Sequence, residues 1–431
     1  MSFTYQSNLL HVEKIALNEI ADHHPTPCYI YSSSRLENNF RVLKEAFDEN
    51  MPGTDVLLAY ACKANGSLAI LKTLADLGCG ADIVSGGEMK RALAAGIPPE
   101  KIVFSGVGKS REEIEMAVRE NIAQVNIESA AEMDLISKVT EDLKKTLRIS
   151  FRLNPDVDAK THDHTNTGKK ESKFGISPEL IKSLYKKACY HKYLDPQGLS
   201  IHIGSQLTRL EPFEDAFEII HDLARDLIDE GLPLSALDLG GGVGISYSGE
   251  KVFTLPEYIA LIKKRISSLG VRLILEPGRS ISGDTGVLLS RVLYTKKAGS
   301  KNLLIVDAGM NDFIRPCLYD ADHPVYPVMQ EDVKGENESG RSEVFDIVGP
   351  VCETADVLAK NISLPKASTE PNALIAFMMS GAYGSVMASF YNARPLPAEI
   401  MVKGDKIAQI RSRITTEDIL AHEKMPEWLE N

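Results

Sequence analysis

The sequence predicts a (β/α)₈ barrel followed by a mostly β domain. Eight short β-rich apolar runs recur over about 225 residues, and amphipathic helical patterns such as GEMKRALAAG and LPEYIALIKKRISSLG separate them. That number and length are typical of a closed TIM barrel, whereas an open doubly wound sheet usually has fewer strands. The runs are 55–63, 80–85, 101–106, 124–129, 147–154, 198–205, 236–242 and 272–280.

A second domain follows the barrel in the predicted organisation. After residue 283 strand-like segments such as KNLLIVDAG and EIMVKGDKI are separated by Pro-, Gly- and charge-rich connections. TPCYIYSSS, at 26–34, is a further strand candidate that we expect to pair with this domain. The predicted domains are a barrel at 35–282 and a β-sandwich or barrel-like domain formed by 1–34 and 283–431. The polar residues 331–342 predict a mobile surface loop.

Composition and charge exclude several classes of function. The 431 residues carry a net charge of −12, so nucleic acid and anionic membrane surfaces are not expected partners. The N-terminus lacks the pattern of a secretory signal, and no stretch approaches the roughly 18 apolar residues of a membrane span, so we expect a cytoplasmic protein. The six cysteines are scattered without a CxxC pair, which indicates free thiols.

Polar side chains follow nearly every predicted barrel strand, at the end where barrels of this kind carry their chemistry. Two of these ends, GGGVG and EPGRS, are rich in glycine and come after runs seven and eight, where barrels commonly bind phosphate. A glycine triplet alone is equally typical of a flexible turn. The strand-end residues are Lys63, Ser85, Ser105, Glu128, Arg152 with Asn154, His202 with Ser205, Asp238 with Gly240, Gly241 and Gly242, and Glu276 with Gly278 and Arg279.

Lys63 ends the apolar run DVLLAYACK. A partly desolvated amine favours its neutral form and can attack a carbonyl. Taken alone, however, Lys63 could equally be a lysine whose side chain extends from the strand end to solvent. The combination of an amine, a phosphate site and an acid, Glu276, on one rim favours the first explanation. Pyridoxal phosphate presents an aldehyde, a phosphate and a ring nitrogen, one for each of these groups.

The histidines have less specific patterns. His202 alternates with Ile201 and Ile203, so we expect it to point into the barrel mouth, where a lone histidine is more often a hydrogen-bonded core residue than a catalytic one. His162 and His164 could suggest a metal, but they lie in a polar segment without further ligands. The sequence therefore predicts no metal site, and we interpret that segment as a loop covering the site.

Nine motifs together resemble one family, the pyridoxal-phosphate-dependent diaminopimelate decarboxylases, which are relatives of the ornithine decarboxylases and, more distantly, of alanine racemase. The resemblance spans residues 25–395 and therefore both predicted domains. HIGSQ or EPGR alone would be weak, but nine motifs in order are specific. The motifs are AYACKAN, SGGE, KFG, HIGSQ, GGG, EPGR, RPCLYDADHP, GPVCETAD and GAYG.

The resemblance implies a role for each cofactor-binding residue. Lys63 resembles the lysine that bonds to the cofactor, His202 the imidazole that stacks on its ring, and Glu276 the acid paired with the ring nitrogen. The glycine triplet and the turn from Glu276 to Arg279 resemble the phosphate cradle. The full predicted cofactor set is Lys63, Asp82, Arg152, His202, Ser205, Gly240, Gly241, Gly242, Glu276, Pro277, Gly278, Arg279 and Tyr383.

The resemblance also implies a homodimer with its active site at the subunit interface. Cys352 resembles a thiol that reaches the site from the neighbouring subunit and Glu353 the carboxylate that pairs with the substrate's distal ammonium. A lone cysteine is usually a small buried hydrophobe, but the flanking GPVCETAD pattern favours the site. The predicted catalytic residues are Lys63, Cys352 and His202, and the predicted substrate-binding residues are Arg279, Arg315, Tyr319, Glu353 and Tyr383.

The expected function is decarboxylation of meso-2,6-diaminopimelate to L-lysine, the last step of lysine biosynthesis. Ornithine has no distal carboxylate for the two arginines, and the ornithine enzymes usually carry Asp where this chain has Glu353. A decarboxylase of carboxynorspermidine, ornithine or arginine, or an amino-acid racemase on the same fold, stays an open alternative. The group that delivers the final proton, Cys352 or a lysine-linked acid, also stays open.

Overall fold

The computed structural model describes residues 3–158, 167–168, 172–330 and 342–429. The chain folds into two compact units, Leu36–Ser282 and Met1–Arg35 with Gly283–Asn431. We call the first the barrel unit and the second the β unit. His162, His164 and the predicted loop at 331–342, apart from Ser342, lie outside the described residues.

The described part of the barrel unit contains a closed barrel of eight parallel strands, which confirms the predicted fold class. Each strand pairs with its neighbours in chain order, and the last pairs with the first. The strands are β5 (Val56–Ala61), β6 (Gly80–Ile83), β7 (Ile102–Phe104), β8 (Gln124–Ile127), β9 (Leu147–Leu153), β10 (Leu194–Ile201), β11 (Ala236–Asp238) and β12 (Arg272–Leu275).

Helices connect the barrel strands, as the amphipathic patterns predict. Ser110 and Thr254 open two of these helices with capping boxes, in which each side chain and a glutamate three residues later bond each other's backbone N–H. The helices of this unit are α3 (Leu68–Asp76), α4 (Gly86–Ala94), α5 (Arg111–Glu120), α6 (Ala130–Leu143), α7 (Pro178–Cys189), α8 (Glu211–Asp229), α9 (Leu255–Ile266) and α10 (Arg279–Ser282), and α2 (Ser33–Asn50) precedes β5.

The strands end earlier than the apolar runs suggested. β5 ends at Ala61, and Lys63 lies in a 3₁₀ helix, Cys62–Ala64, rather than on the strand. β11 ends at Asp238, because Gly240 and Gly242 have φ angles of 67° and 99°, which no extended strand can contain. Lys63 and the glycine triplet therefore lie in the turns directly after β5 and β11.

The β unit is built on a nine-stranded sheet that takes in the N-terminal segment, as predicted. Strand β4 (Cys28–Ser32) lies between β13 (Gly286–Ala298), to which it is antiparallel, and β19 (Ala398–Lys403), to which it is parallel. Its other strands are β14 (Lys301–Val306), β15 (Val325–Pro327), β16 (Ser342–Val348), β17 (Val357–Pro365), β18 (Leu374–Phe377) and β20 (Lys406–Arg411).

A smaller three-stranded sheet and short helices complete the β unit. The sheet consists of β1 (Phe3–Gln6), β2 (Leu9–Val12) and β3 (Ile15–Ala16), and helix α1 (Leu17–His23) follows it. Apolar side chains of this segment pack in one core cluster with those of β4, β13 and β19. This burial ties the N-terminal segment to the sheet. The remaining helices are α11 (Arg315–Tyr319) and α12 (Thr416–Leu420).

We expect Gly198→Ala to disrupt the barrel next to the residues that follow β10 and β11. A Cβ at Gly198 would lie 1.8 Å from the Ala236 carbonyl oxygen, so the two paired strands would have to separate. The free energy of unfolding should fall by about 3 kcal/mol or more, measured by urea denaturation. Gly108→Ala is the control, because nothing lies within 4 Å of a Cβ there, and it should change stability by less than about 1 kcal/mol. Equal stabilities of the two variants would contradict this close approach of β10 and β11.

Candidate active site

An amine and a buried carboxylate meet at the C-terminal end of the barrel. Lys63 Nζ lies 2.7 Å from Asp82 Oδ2, and the Asp82 side chain is fully buried whereas that of Lys63 is 32% exposed. The second oxygen, Asp82 Oδ1, has no hydrogen-bond partner among the described residues. A buried, unpaired carboxylate oxygen is costly, which is typical of a site prepared for a ligand.

A second acid centre lies in the barrel lumen, between the ends of β11 and β12. Asp238 and Glu276 are both buried, and their charges interact. Ser105 Oγ donates to Glu276 Oε1 at 3.2 Å, and Asn126 Nδ2 donates to Asp238 Oδ2 at 2.9 Å and to Ser105 Oγ at 3.0 Å. Gln124 orients the Asn126 amide by donating to its Oδ1 at 2.8 Å.

The two acids hold protons more tightly than free carboxyl groups. Burial raises the pKa of Asp238 to about 6, although hydrogen bonds from Asn126 and Gly240 oppose this. Burial, and then the charges of Asp238 and Asp82, raise the pKa of Glu276 well above its ordinary value. Perturbed carboxyl groups in a cleft are typical of functional sites.

The glycine triplet 240–242 is required by close backbone contacts. A Cβ at Gly241 would lie 2.1 Å from the Glu276 carbonyl oxygen, and one at Gly242 would lie 2.4 Å from the Gly204 carbonyl oxygen. The N–H of Gly240 donates to Asp238 Oδ1 at 3.0 Å and that of Gly241 to His202 Nδ1 at 3.2 Å. Two of the three amides are therefore already used by the protein, and the triplet is a packed turn.

His202 directly follows β10 and is held as a neutral imidazole. Because the Gly241 N–H donates to Nδ1, that nitrogen carries a lone pair, which places the hydrogen of the neutral ring on Nε2. Burial, and then the positive charges of Lys63 and Arg152, lower the pKa of His202 well below its ordinary value. The ring therefore adds no charge to the site.

Two arginines lie on this rim with different partners. Arg152 Nη1 bonds Glu128 Oε1 at 2.8 Å, and both side chains are buried. Arg279 Nη2 donates to Ser205 Oγ at 3.2 Å and its Nη1 to the Tyr247 hydroxyl at 2.5 Å. A guanidinium held next to a hydroxyl and a glycine turn is suited to an anion such as phosphate.

The β unit brings together three of the predicted substrate-binding residues. The guanidinium of Arg315 lies 5.7 Å from the ring centre of Tyr319 and 6.0 Å from that of Tyr383. Arg315 Nε also donates to His323 Nε2 at 3.2 Å, and Arg315 is buried. Aromatic rings and a histidine therefore fix the orientation of this cation.

Cys352 and Glu353 lie elsewhere in the β unit and are exposed. The Cys352 N–H donates to Asn392 Oδ1 at 3.0 Å, and the Tyr391 hydroxyl donates to Glu353 Oε1 at 2.5 Å. These partners differ from the tyrosines and the histidine that surround the Arg315 guanidinium. Both side chains are therefore accessible to solvent.

The structure thus groups the predicted residues of the barrel unit on one rim and adds others that the motifs did not indicate. Asn126, Gln124 and Tyr247 are the additions. Only the period-two alternation of QVNI could have indicated that Gln124 and Asn126 share one face of β8. Among the described residues there is no cluster of three or more metal-ligating side chains, and none of their helices is long and apolar enough to span a membrane.

Comparison with known proteins gives a consistent result. Residues 34–283 match the family described as "Pyridoxal-dependent decarboxylase, pyridoxal binding domain". The chain is 44% identical to the diaminopimelate decarboxylase of Zymomonas mobilis over 429 residues, with 99% of each protein covered. The crystal structure of the Helicobacter pylori diaminopimelate decarboxylase complexed with L-lysine is similar at a TM-score of 0.88 and 43% identity, covering 94% of this chain and 98% of that chain. The M. jannaschii diaminopimelate decarboxylase in co-complex with L-lysine has a TM-score of 0.92 and 35% identity, with 99% of each chain covered.

We expect the His202 imidazole to remain neutral, with its hydrogen on Nε2, at pH values where an ordinary histidine is protonated. Lys63→Met should raise the pKa of His202, because it removes one of the two cations that disfavour the imidazolium. The ¹⁵N chemical shifts of the imidazole, followed between about pH 5 and 8, measure both properties. Lys72→Met, at an exposed lysine of α3 that pairs with Asp76, should leave the titration unchanged. Protonation of wild-type His202 at an ordinary pH would contradict the buried, neutral ring.

Proposed function

The chain belongs to the pyridoxal-dependent diaminopimelate decarboxylases, and we infer from this that it removes carbon dioxide from meso-2,6-diaminopimelate and forms L-lysine. The family and the decarboxylase class predicted from the sequence are confirmed by these relatives. The observation that carries the assignment to this site is the Lys63–Asp82 ion pair, an amine held by a fully buried carboxylate on the barrel rim.

The residues of the barrel rim fit pyridoxal phosphate. The unpaired Asp82 Oδ1 next to Lys63 marks a place where a further group can be bound. The N–H groups of Gly242 and Gly278 and the hydroxyl and guanidinium of Ser205 and Arg279 would hold the phosphate. Glu276 would hold the ring nitrogen and His202 the ring face, while burial, Lys63 and Arg152 together lower the pKa of His202 and keep it neutral. When bound, the cofactor supplies an electron sink for the electron pair that remains when carbon dioxide leaves.

Lys63 and its neighbours prepare the amine for this chemistry. Lys63 Nζ must lose a proton before it can act as a nucleophile, and Asp82 Oδ2, at 2.7 Å, is the base nearest to that proton. Glu276 and Asp238 keep a proton because burial raises the pKa of both.

The β unit contains groups whose chemistry suits the distal amine and carboxylate of diaminopimelate. Arg315, oriented by Tyr319, Tyr383 and His323, is shaped to bind a carboxylate with two N–H groups. Glu353 is suited to the distal ammonium, and its bond to Tyr391 fixes its orientation. A distal amine together with a distal carboxylate is what distinguishes diaminopimelate from ornithine and arginine.

We propose a homodimer in which Cys352 acts on the site of the partner subunit. Cys352 is exposed, and its backbone is anchored to Asn392. The thiol Sγ would deliver the proton that replaces the lost carboxylate on carbon. An isologous dimer would place two such sites symmetrically, each with groups from both copies.

We expect Lys63→Ala to reduce carbon dioxide release from diaminopimelate to below about one thousandth of the wild-type rate, because the nucleophilic amine is removed. The measurement is carbon dioxide release with and without pyridoxal phosphate, on diaminopimelate, ornithine, arginine and carboxynorspermidine. Wild type should prefer diaminopimelate.

The control for this variant is Lys72→Ala, at an exposed lysine of α3. It should retain the wild-type rate and the wild-type absorbance of bound cofactor, whereas Lys63→Ala should lose both. Turnover of diaminopimelate by Lys63→Ala, or a wild-type preference for another member of the panel, would refute the proposed function.

We expect two inactive variants, Lys63→Ala and Cys352→Ala, to restore activity when mixed and allowed to exchange subunits. If each site takes Lys63 from one copy and Cys352 from the other, half of the dimers are mixed and each has one intact site, which gives about a quarter of the wild-type activity. Each variant incubated alone is the control. Continued inactivity of a mixture whose subunits demonstrably exchange would place both residues in the same subunit's site. Full activity of Cys352→Ala alone would remove Cys352 from the reaction.

A further inference from the structure

Asp238 and Glu276 form the carboxyl pair of the lumen, and the donors and acceptors of the hydrogen bonds around them are fixed. Asn126 Nδ2 has two hydrogens, and these are directed to Asp238 Oδ2 and Ser105 Oγ. Because Ser105 Oγ accepts from Asn126, its own hydrogen points to Glu276 Oε1. Oε1 is therefore an acceptor, so a proton on Glu276 lies on the other oxygen, Oε2. Gln124 holds the Asn126 amide in this orientation.

Asp238 also holds the turn that follows its strand. Its Oδ1 accepts the N–H of Gly240 at 3.0 Å, and the Gly240 carbonyl accepts the N–H of Glu276 at 2.8 Å. One side chain thus contacts both the glycine triplet and the acid that follows β12. Asp238 is only 1% exposed, so these bonds are not exchanged for bonds to water.

We propose that Asp238 is a positioning residue of the cofactor site, whose Oδ1 fixes the glycine triplet and whose Oδ2 is joined to Glu276 through Asn126 and Ser105. This inference rests on the proposed function for the ligand that Glu276 meets, but the hydrogen bonds and the titration of the two acids are properties of the chain alone. Neither oxygen of Asp238 is available to the solvent, so its action on a ligand passes through Glu276 and the glycine triplet.

The charges around the pair explain why it retains one proton. Asp82 repels both acids, while Lys63 and Arg152 attract the negative charge of Glu276. These are the charged groups that act on the pair from the ends of β5, β6 and β9. Arg152 also pairs with the buried Glu128, so four carboxyl groups, Asp82, Glu128, Asp238 and Glu276, lie opposite two cations. They cannot all ionise without a large electrostatic cost, so a proton is kept.

The test is a pH titration of the carboxyl C=O stretch by infrared spectroscopy on the full chain, with and without pyridoxal phosphate. Asp238→Asn and Glu276→Gln should each move the loss of the protonated-carboxyl band to lower pH, because each removes the charge that raises the pKa of the other acid. Asn126→Ala should move it to higher pH, because it removes a donor that favours ionised Asp238. Asp238→Asn should also weaken binding of pyridoxal phosphate about tenfold.

Opposite shifts distinguish this inference from a loss of structure, because a disrupted barrel would expose the acids and move every titration to lower pH. If Asp238→Asn does not fold, Glu276→Gln and Asn126→Ala still test the expected shifts of the titration, to lower and to higher pH respectively. Asp222→Asn, at an exposed aspartate of α8, should change neither the titration nor cofactor binding. An unshifted band in Asp238→Asn, or a shift in Asn126→Ala of the same sign as that in Glu276→Gln, would overturn the inference. The titration without cofactor does not depend on the proposed function, so the two can fail separately.

Discussion

The constraint on which the rest of the structure depends is the burial of three carboxyl groups, Asp82, Asp238 and Glu276, at one end of the barrel. In a closed lumen each must find a cation, a hydrogen-bond donor or a proton. Lys63 compensates Asp82, the Gly240 amide and Asn126 compensate Asp238, and a retained proton compensates Glu276. The inner face of the barrel is consequently polar at this end, whereas Leu57, Ala59, Val103, Ala123 and Ile274 form an apolar cluster elsewhere in this unit.

This arrangement costs folding free energy. The raised pKa of Asp238 means that the folded protein binds a proton more tightly than the unfolded chain does, so the free energy of unfolding falls when rising pH ionises this buried acid. Stability contributed by this site therefore falls as pH rises from the ordinary carboxyl pKa through about 6. The close pairing of the barrel strands and the packed glycine triplet must offset that cost, as is usual where a site retains perturbed acids.

The sequence was sufficient to predict the barrel for two reasons. Apolar residues recur every two residues in strands and every 3.6 residues in helices, which is visible even in short segments, and the strand order of a closed barrel follows the order of the chain. Lys63, His202 and Glu276 could be found because they end apolar runs inside specific motifs. Gln124 and Asn126 could not, since they occupy alternate positions of an ordinary-looking strand and acquire a role only when closure brings β7, β8, β11 and β12 together. Tyr247 follows no strand, and its contact with Arg279 depends on loop geometry.

The glycine triplet could be recognised as a motif from the sequence, but the motif indicated only part of its physical role. Its pattern suggested exposed amides for phosphate, yet the first two amides bond Asp238 and His202, and the missing side chains admit the carbonyls of Glu276 and Gly204. The triplet therefore joins the acid, the imidazole and the turns after β10, β11 and β12 into one rigid unit. Because a Cβ at any of these positions would force backbone apart, the orientation of His202 and that of Glu276 cannot change independently. A phosphate bound by the remaining amide and by the turn at Arg279 would be held by the same unit that orients the acid and the imidazole.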